Sequence, residues 1–211
     1  MNNFAGESYH RPPAPAGANS MATQQNIDAI ILAGGQGLRM GGQDKGLTIW
    51  QNRPLIEHVI ERIAPQVDNL HISANRNLPA YQKLGYPVHT DTKPDFRGPL
   101  AGIAACAPYC ESDWVVIAPC DYPSLPPQLA SALLETAMNG GLEASYAADE
   151  HRAHYLCVLV LRTVLAGLNE RLGGDDLSVK GWLQTLHCKP TAFSGMTEAF
   201  QNINHPERKG Q

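Results

Sequence analysis

The stretch Ile27-Asp28-Ala29-Ile30-Ile31-Leu32-Ala33-Gly34-Gly35 decides the fold class of this chain. Its first seven residues are apolar except for Asp28, and the run stops at two glycines. A continuous apolar run rich in β-branched residues and bounded by glycine is typical of a parallel strand that is buried on both faces. The sequence therefore predicts a buried parallel strand over residues 27–33.

Strand patterns and helix patterns alternate after this first strand. Short apolar runs predict further strands at 70–74, 87–90, 114–118, 144–148 and 155–161. Helical spacing of apolar residues predicts helices at 54–65, 99–107, 129–137, 163–172 and 176–186. This alternation predicts the α/β class: a single three-layer α/β/α domain with a mostly parallel, Rossmann-like sheet. Ligands bind outside the carboxyl ends of the strands in such sheets, so residues that follow strands are the candidate site residues.

Length and composition limit the organisation of the chain. A length of 211 residues suits one domain with an appendage. Residues 1–25 hold Pro12, Pro13 and Pro15 without any apolar period, which predicts a disordered N-terminal tail, and residues 26–211 are predicted to form the domain. The formal net charge of -4 disfavours a nucleic-acid partner, because duplex binders are usually basic.

The cysteines and the apolar runs point to a location. The five cysteines include no CxxC pair, so we expect reduced, mostly buried thiols rather than a zinc site or a disulfide framework. No stretch approaches the ~18–20 apolar residues of a membrane span, and no secretion signal is visible. These features predict a cytoplasmic protein without a membrane partner.

The segment that follows the first strand carries the candidate chemistry. Six glycines lie between Gly34 and Gly46, and Arg39 and Lys45 interrupt them. Glycine lets backbone N–H groups approach an anion closely, and the two cations favour a polyphosphate. The segment is not a P-loop, because no Gly-Lys-Ser/Thr occurs, and a dinucleotide fingerprint lacks its third glycine at Met40. A dinucleotide turn and a flexible glycine linker stay as alternatives.

Polar residues after later strands complete the candidate set. Asp121 follows the apolar run 114–118, where its carboxylate would suit Mg²⁺ beside phosphate oxygens, although a turn residue before Pro123 is the alternative. Asp91 is either a ligand contact or an ordinary loop acid. His151 and His154 are three residues apart but not on a helix, so we expect a solvated loop rather than a metal site, with a weaker possibility of substrate contact.

The ordered motifs resemble the molybdenum cofactor guanylyltransferases, within the nucleotidyltransferase group. Residues 32–45 match the pattern LAGGxxxRMGGxDK. The resemblance extends over residues 27–207 through Pro54-Leu55, Ser73-Ala74-Asn75-Arg76, Asp91, Gly98-Pro99-Leu100-Ala101-Gly102-Ile103, Pro119-Cys120-Asp121 and Asn202-Ile203-Asn204. It implies a nucleotidyltransferase-like (GT-A) fold.

The resemblance also implies an activity: transfer of GMP from GTP to the terminal phosphate of Mo-molybdopterin, with Mg²⁺ as cofactor and pyrophosphate as the leaving product. It implies a nucleotide site formed by Leu32, Ala33, Gly34, Gly35, Lys45, Ser73, Asp91 and Asp121. Asp121 is implied as the metal ligand, and Asn202 and Asn204 as pterin-side residues. Arg39, Lys45 and Asp121 are the expected catalytic residues. The family often has Asn where this chain has Ser73, whose hydroxyl offers one donor rather than two.

Two other functions stay open at this point. A cytidylyltransferase of the same cofactor usually has LAAG, with Lys following RMG more directly than the Gly42-Gln43-Asp44-Lys45 spacing allows. A non-catalytic carrier of GTP or of the pterin would not need a metal ligand at the α-phosphate. Expected partners are GTP, Mo-molybdopterin, and possible cofactor-biosynthesis proteins and recipient molybdoenzymes.

Overall fold

A computed structural model of the chain describes residues 25–34, 44–91 and 98–203. The predicted N-terminal tail, apart from Gln25, lies outside these ranges, and so do Gly35, Arg39 and Asn204. None of the helices in the described ranges has both the length and the apolar character needed to cross a bilayer.

Nine strands and six α-helices occur within the described ranges. The strands are β1 Ile27–Leu32, β2 Ile49–Trp50, β3 Arg53–Pro54, β4 Asn69–Ser73, β5 Val88–His89, β6 Trp114–Pro119, β7 Ala144–Ala148, β8 Ala153–Leu161 and β9 Cys188–Ala192. The helices are α1 Leu55–Ile63, α2 Leu78–Gln82, α3 Pro99–Cys106, α4 Leu129–Gly140, α5 Leu168–Arg171 and α6 Val179–Leu183.

Seven of these strands form one sheet in the order β5-β4-β1-β6-β8-β7-β9, and β2 pairs with β3 in a separate hairpin. Strand β8 is antiparallel to both of its neighbours, whereas the other pairings in the large sheet are parallel. The stretch 27–33 supplies β1, an interior strand between β4 and β6, in which every residue from Ile27 to Leu32 is buried. The predicted mostly parallel sheet is confirmed.

Alternate residues along each strand pack into two separate cores, one on each face of the sheet. Helices α1, α2 and α4 contribute to one core, and α3, α5 and α6 contribute to the other. In β1, Ala29 and Ile31 face the first core while Ile30 and Leu32 face the second. The predicted three-layer α/β/α arrangement is therefore confirmed. It follows from a period of two in the strands combined with helices on both faces.

Several local features differ from the sequence-based expectations. The predicted helix 163–172 is a 3₁₀ segment, Arg162–Gly167, followed by the short α5. The predicted helix 176–186 shortens to α6, because the Ser178 hydroxyl accepts a hydrogen bond from Gly181 N–H (3.0 Å) and starts the helix there. The hairpin β2-β3, helix α2 and strand β9 were not predicted. Strand β9 carries Pro190 and lies at the edge of the sheet, where proline is tolerated.

A buried carboxylate fastens the amino end of β1 to the loop before β6. Asp28 accepts hydrogen bonds from two N–H groups and one hydroxyl in the turn 111–112, and from the Asn69 amide. Burial raises the pKa of Asp28, but these hydrogen bonds outweigh it and lower the pKa below its ordinary value. His71 and Cys110 lie within 4.8 Å of this carboxylate. Because four donors already occupy its oxygens, the cluster is a structural clasp rather than a metal site.

Candidate active site

The carboxyl ends of β1, β4 and β6 are joined by main-chain hydrogen bonds just beyond the sheet pairing. Ala33 N–H donates to the Ser73 carbonyl (2.8 Å), and Cys120 N–H donates to the Leu32 carbonyl (3.1 Å). Leu32 and Ala33 are buried at this edge, whereas Gly34 is exposed. The turn predicted to bind nucleotide therefore lies where the strand ends converge, as expected for a parallel sheet.

Lys45 and Asp121 form an ion pair at the same edge. Lys45 begins a 3₁₀ turn, Lys45–Leu47, directly after the glycine-rich segment, and Asp121 follows β6. The Lys45 side chain is 29% exposed and the Asp121 side chain is 12% exposed. Two predicted catalytic residues are thus brought together in a position that shields most of both side chains from water.

Asp44, the neighbour of Lys45, is held by helix α2 and the residue before it. Its carboxylate accepts from the Tyr81 hydroxyl (2.5 Å) and from the Asn77 amide (3.1 Å). Its carbonyl accepts from Leu47 N–H (3.2 Å) within the turn. Sequence reasoning did not single out Tyr81 or Asn77, because α2 has only five residues and no periodic signal.

Asn75 and Asp91 form a reciprocal pair beside Gly34. The Asn75 amide donates to an Asp91 carboxylate oxygen (2.9 Å), and Asp91 N–H donates back to the Asn75 amide oxygen (2.9 Å). A Cβ at Gly34 would lie 3.3 Å from the Asn75 amide nitrogen, so the turn passes close to this pair. The predicted residues Gly34 and Asp91 therefore share one corner of the site, and Asn75 links them.

Ser73 occupies a different environment from the one its predicted role requires. The residue is only 1% exposed. Its hydroxyl lies 2.4 Å from the position that a Cβ on Gly102 would take, so α3 packs directly on it. The amide at this corner belongs to Asn75, two residues later, which is half-buried and bonded to Asp91. The sequence signal for Asn75 was its place in the Ser73-Ala74-Asn75-Arg76 motif.

Residues 202–203, the last that the structure describes, lie beside Asp121. Ile203 N–H donates to the Asp121 carbonyl (3.0 Å), which places the exposed Asn202 next to the ion pair. Asn204 lies outside the described residues. The predicted pterin-side residue Asn202 is therefore adjacent to the predicted metal ligand, although β6 and residue 202 are far apart in the chain.

Two other residues that the sequence analysis considered, His154 and Cys120, are buried in the structure. His154 is 4% exposed, bonds Asp149 (3.0 Å) and stacks on Phe200 with ring centroids 4.5 Å apart. The expectation of a solvated loop is therefore wrong for His154, because the aromatic core of one sheet face covers it. Cys120, beside Asp121, is buried, and burial raises the pKa of its thiol. A neutral buried thiol is a packing group, as expected, and not a nucleophile.

Known proteins resemble this chain over most of its length. The sequence model of the MobA-like NTP transferase domain matches residues 29–189. The chain is 40% identical over 185 residues to a molybdenum cofactor guanylyltransferase of Shewanella woodyi, covering 88% of this chain and 94% of that protein. It is 41% identical over 183 residues to one of Yersinia pestis, covering 87% of this chain and 93% of that protein.

Solved structures share the fold. Molybdopterin-guanine dinucleotide biosynthesis protein A from Archaeoglobus fulgidus superposes with a TM-score of 0.68 at 21% identity, covering 85% of this chain and 93% of that chain. A 4-diphosphocytidyl-2C-methyl-D-erythritol synthase from Anaerococcus prevotii gives 0.66 at 12% identity, covering 90% of this chain and 95% of that chain. With the domain match and the two relatives above, the chain belongs to the molybdenum cofactor guanylyltransferases, a family of nucleotidyltransferases.

Proposed function

We propose that this enzyme transfers the GMP moiety of GTP to the terminal phosphate of molybdopterin and releases pyrophosphate. The observation that carries the proposal is the Lys45–Asp121 ion pair at the carboxyl edge of the sheet, directly after the glycine-rich segment. A cation and a carboxylate at this place supply the two charges that nucleotidyl transfer needs, one for phosphate oxygens and one for a divalent ion.

The reaction requires positioning more than covalent catalysis. An oxygen of the molybdopterin phosphate attacks the α-phosphorus of GTP, a new P–O bond forms, and the bond to the β-phosphate oxygen breaks in line. The departing pyrophosphate carries the electron pair of that bond as added negative charge. We assign the neutralisation of this charge to Lys45, and Arg39 remains a predicted second cation for the same purpose.

Asp121 fits the role of a Mg²⁺ ligand by its donor chemistry and its place. Mg²⁺ takes one or two carboxylates and completes its octahedron with water and phosphate oxygens. Asp121 supplies hard oxygen donors at a nearly buried position, and the Lys45 ammonium balances its charge in the free enzyme. Bound Mg²⁺ would neutralise the phosphate oxygens of GTP, and Asp121 would hold it there.

The corner formed by Gly34, Asn75 and Asp91 suits the nucleoside. Guanine presents N–H donors on its pairing edge, and a carboxylate has about four acceptor sites, so Asp91 can accept from guanine beside its bond from Asn75. Gly34 lets the base approach the backbone without a side chain in the way. Asn75 fixes the direction of the Asp91 carboxylate. In this proposal Asn75 replaces Ser73 as the polar residue of the nucleotide site at this corner.

The acceptor side is assigned to the Asn202–Asn204 segment. The hydrogen bond from Ile203 N–H to the Asp121 carbonyl holds Asn202 beside the proposed metal ligand. Asparagine amides both donate and accept, which suits the polar edge of a pterin and its phosphate. An acceptor bound there would present its phosphate near Asp121 and Lys45.

A direct assay tests this proposal. The protein is incubated with Mg²⁺, molybdopterin and each nucleoside triphosphate in turn, and pyrophosphate release is measured. We expect release with GTP. Release with CTP instead would identify a cytidylyltransferase, and GTP binding without release would identify a carrier. The relatives named as guanylyltransferases favour the first outcome.

The finer partners and the location complete the proposal. Another protein must supply molybdopterin, and another must receive its guanylylated product. Cofactor-biosynthesis enzymes and recipient molybdoenzymes are therefore the proposed partners. Free cysteines that are mostly buried suit a reducing compartment, which favours the cytoplasm. Co-purification of tagged enzyme from cytoplasmic extract, with the partners identified by mass spectrometry, tests both points.

A further inference from the structure

Tyr81 holds the turn that carries Lys45 through a hydrogen bond to the preceding residue, Asp44. The Tyr81 hydroxyl donates to the Asp44 carboxylate (2.5 Å), and the Asn77 amide donates to its other oxygen (3.1 Å). Both donors come from α2 and the residue before it, and Asp44 directly precedes Lys45 in the chain. The carboxylate is thus fixed at two points immediately next to the catalytic lysine.

The two donors differ in rigidity. Tyr81 is 0% exposed and is part of the hydrophobic core on the α1 and α4 face of the sheet. Burial raises the pKa of Tyr81, so its hydroxyl stays protonated and remains a donor to the carboxylate. Asn77 is exposed and adopts a left-handed conformation (φ 49°), which asparagine tolerates better than most residues. Tyr81 is therefore the rigid anchor and Asn77 the adaptable one.

Gly46, on the other side of Lys45, also contacts Tyr81. A Cβ on Gly46 would lie 2.5 Å from the Tyr81 hydroxyl oxygen and 3.4 Å from the Cys120 sulfur. The turn therefore lies directly against the tyrosine and the residue that precedes Asp121. Both neighbours of Lys45 in the chain touch the same buried hydroxyl, which leaves the lysine backbone little freedom to shift.

We infer that Tyr81 is a positioning residue for guanylyl transfer: through Asp44 and Gly46 it holds the Lys45 ammonium at Asp121, where the phosphates of GTP bind. This inference rests on the proposed roles of Lys45 and Asp121. Pre-positioning of this kind contributes to rate because a misplacement of about 1 Å at a reacting centre can cost about 100-fold.

The variant Tyr81→Phe tests the inference with little change to the core, because it keeps the ring and removes only the hydroxyl. We expect kcat to fall about 10- to 100-fold, with the KM for molybdopterin changed less than about twofold, because the hydroxyl contacts Asp44 and Gly46 and acts on the Asn202 segment, where the acceptor is proposed to bind, only through Lys45. The control is Tyr86→Phe, the same change at a half-buried tyrosine near α2, which should keep kcat within about twofold. An unchanged kcat in Tyr81→Phe would overturn the inference.

Gly46→Ala, combined with Tyr81→Phe, tests whether the hydroxyl acts on the turn by direct contact with Gly46. In the wild type the added methyl meets the hydroxyl oxygen, so we expect a severe loss of kcat. In the Tyr81→Phe background that atom is absent, and the further loss should be at least about fivefold smaller, as for residues in direct contact. Strictly multiplicative effects would show that Gly46 and the hydroxyl act independently, and would count against the inference.

Two further sets of variants separate the possible failures. If Tyr81→Phe does not fold, Asn77→Gly decides, since it removes the second donor at an exposed position, tolerates the left-handed backbone and should lower kcat about three- to tenfold. A wild-type kcat in Asn77→Gly would then overturn the inference. If Lys45→Ala and Asp121→Ala remain active, the proposed function has failed. If those two are inactive while Tyr81→Phe has wild-type kcat, only the role of Tyr81 has failed.

Discussion

The ammonium of Lys45 and the carboxylate of Asp121 meet at the carboxyl edge of the sheet, although Lys45 opens a turn after the glycine-rich segment and Asp121 follows β6. The pair keeps two opposite charges together where a polyphosphate and a divalent ion would later separate them. Because both side chains are largely shielded from water, their interaction is stronger than that of an exposed pair. The free protein thus holds together the two charges that we propose act in catalysis.

Replacing Lys45 with alanine should abolish most of the activity. The ammonium is proposed to neutralise charge on the leaving pyrophosphate, and loss of one such group typically costs about 100- to 1,000-fold in kcat. Pyrophosphate release with saturating GTP and molybdopterin measures the effect. Lys189→Ala is the matched control, since Lys189 is exposed on the edge strand β9 and should have wild-type kcat. A Lys45→Ala enzyme with near-normal turnover would refute the assignment.

Asp121→Asn should weaken the dependence on Mg²⁺ without unfolding the protein. The change is isosteric but removes the charge that would hold the ion, so the Mg²⁺ concentration at half-maximal rate should rise about tenfold or more and kcat should fall. A magnesium titration of the rate measures this, with Asp176→Asn in an exposed loop as the control. An identical titration curve for Asp121→Asn and wild type would exclude Asp121 as the metal ligand.

Asn75→Ala should raise the KM for GTP and leave the acceptor untouched. The amide holds Asp91 through two hydrogen bonds, one donated to its carboxylate and one accepted from its backbone N–H, and without them the proposed guanine contact loses its orientation. We expect about a tenfold rise in KM for GTP, equal to the loss of one or two such bonds, and less discrimination against other nucleotides. Asn139→Ala, at the exposed end of α4, is the control. Unchanged KM for GTP would remove Asn75 and Asp91 from the nucleotide site.

Asp28→Asn should lower the free energy of unfolding at neutral pH and should make that free energy depend less on pH. The folded state lowers the pKa of Asp28, so the ionised carboxylate stabilises the fold above its unfolded pKa, and this contribution is lost as pH falls through the folded value. At pH 7 the variant should lose about 2–4 kcal/mol, because the amide cannot accept from all four donors. Urea unfolding between pH 7 and pH 3 should show the gap to wild type narrowing with acid. Asp175→Asn, which is exposed, should show no such gap, and a constant gap for Asp28→Asn would contradict the clasp.

Much of the fold could be predicted because the strong patterns are long and local. The apolar run at β1 and the period of α1 each reflect burial that the residues themselves encode. Helix α2 and strand β9 escaped prediction because five residues with a proline give no period, and only their neighbours stabilise them. The 3₁₀ segment at Arg162–Gly167 escaped because i+3 and i+4 bonding share nearly the same apolar spacing.

The sequence by itself determined the α/β class, the glycine-rich segment after β1 and the candidate residues for phosphate and metal chemistry, because these depend on local composition and on strand ends. Only the tertiary structure decided which side chains meet. It buried Ser73 under Gly102, placed the half-buried Asn75 at the corner beside Gly34, and put the Tyr81 hydroxyl against the turn of Lys45. Such contacts join residues far apart in the chain, and they depend on the packing of helices against the sheet, which no short stretch of sequence specifies.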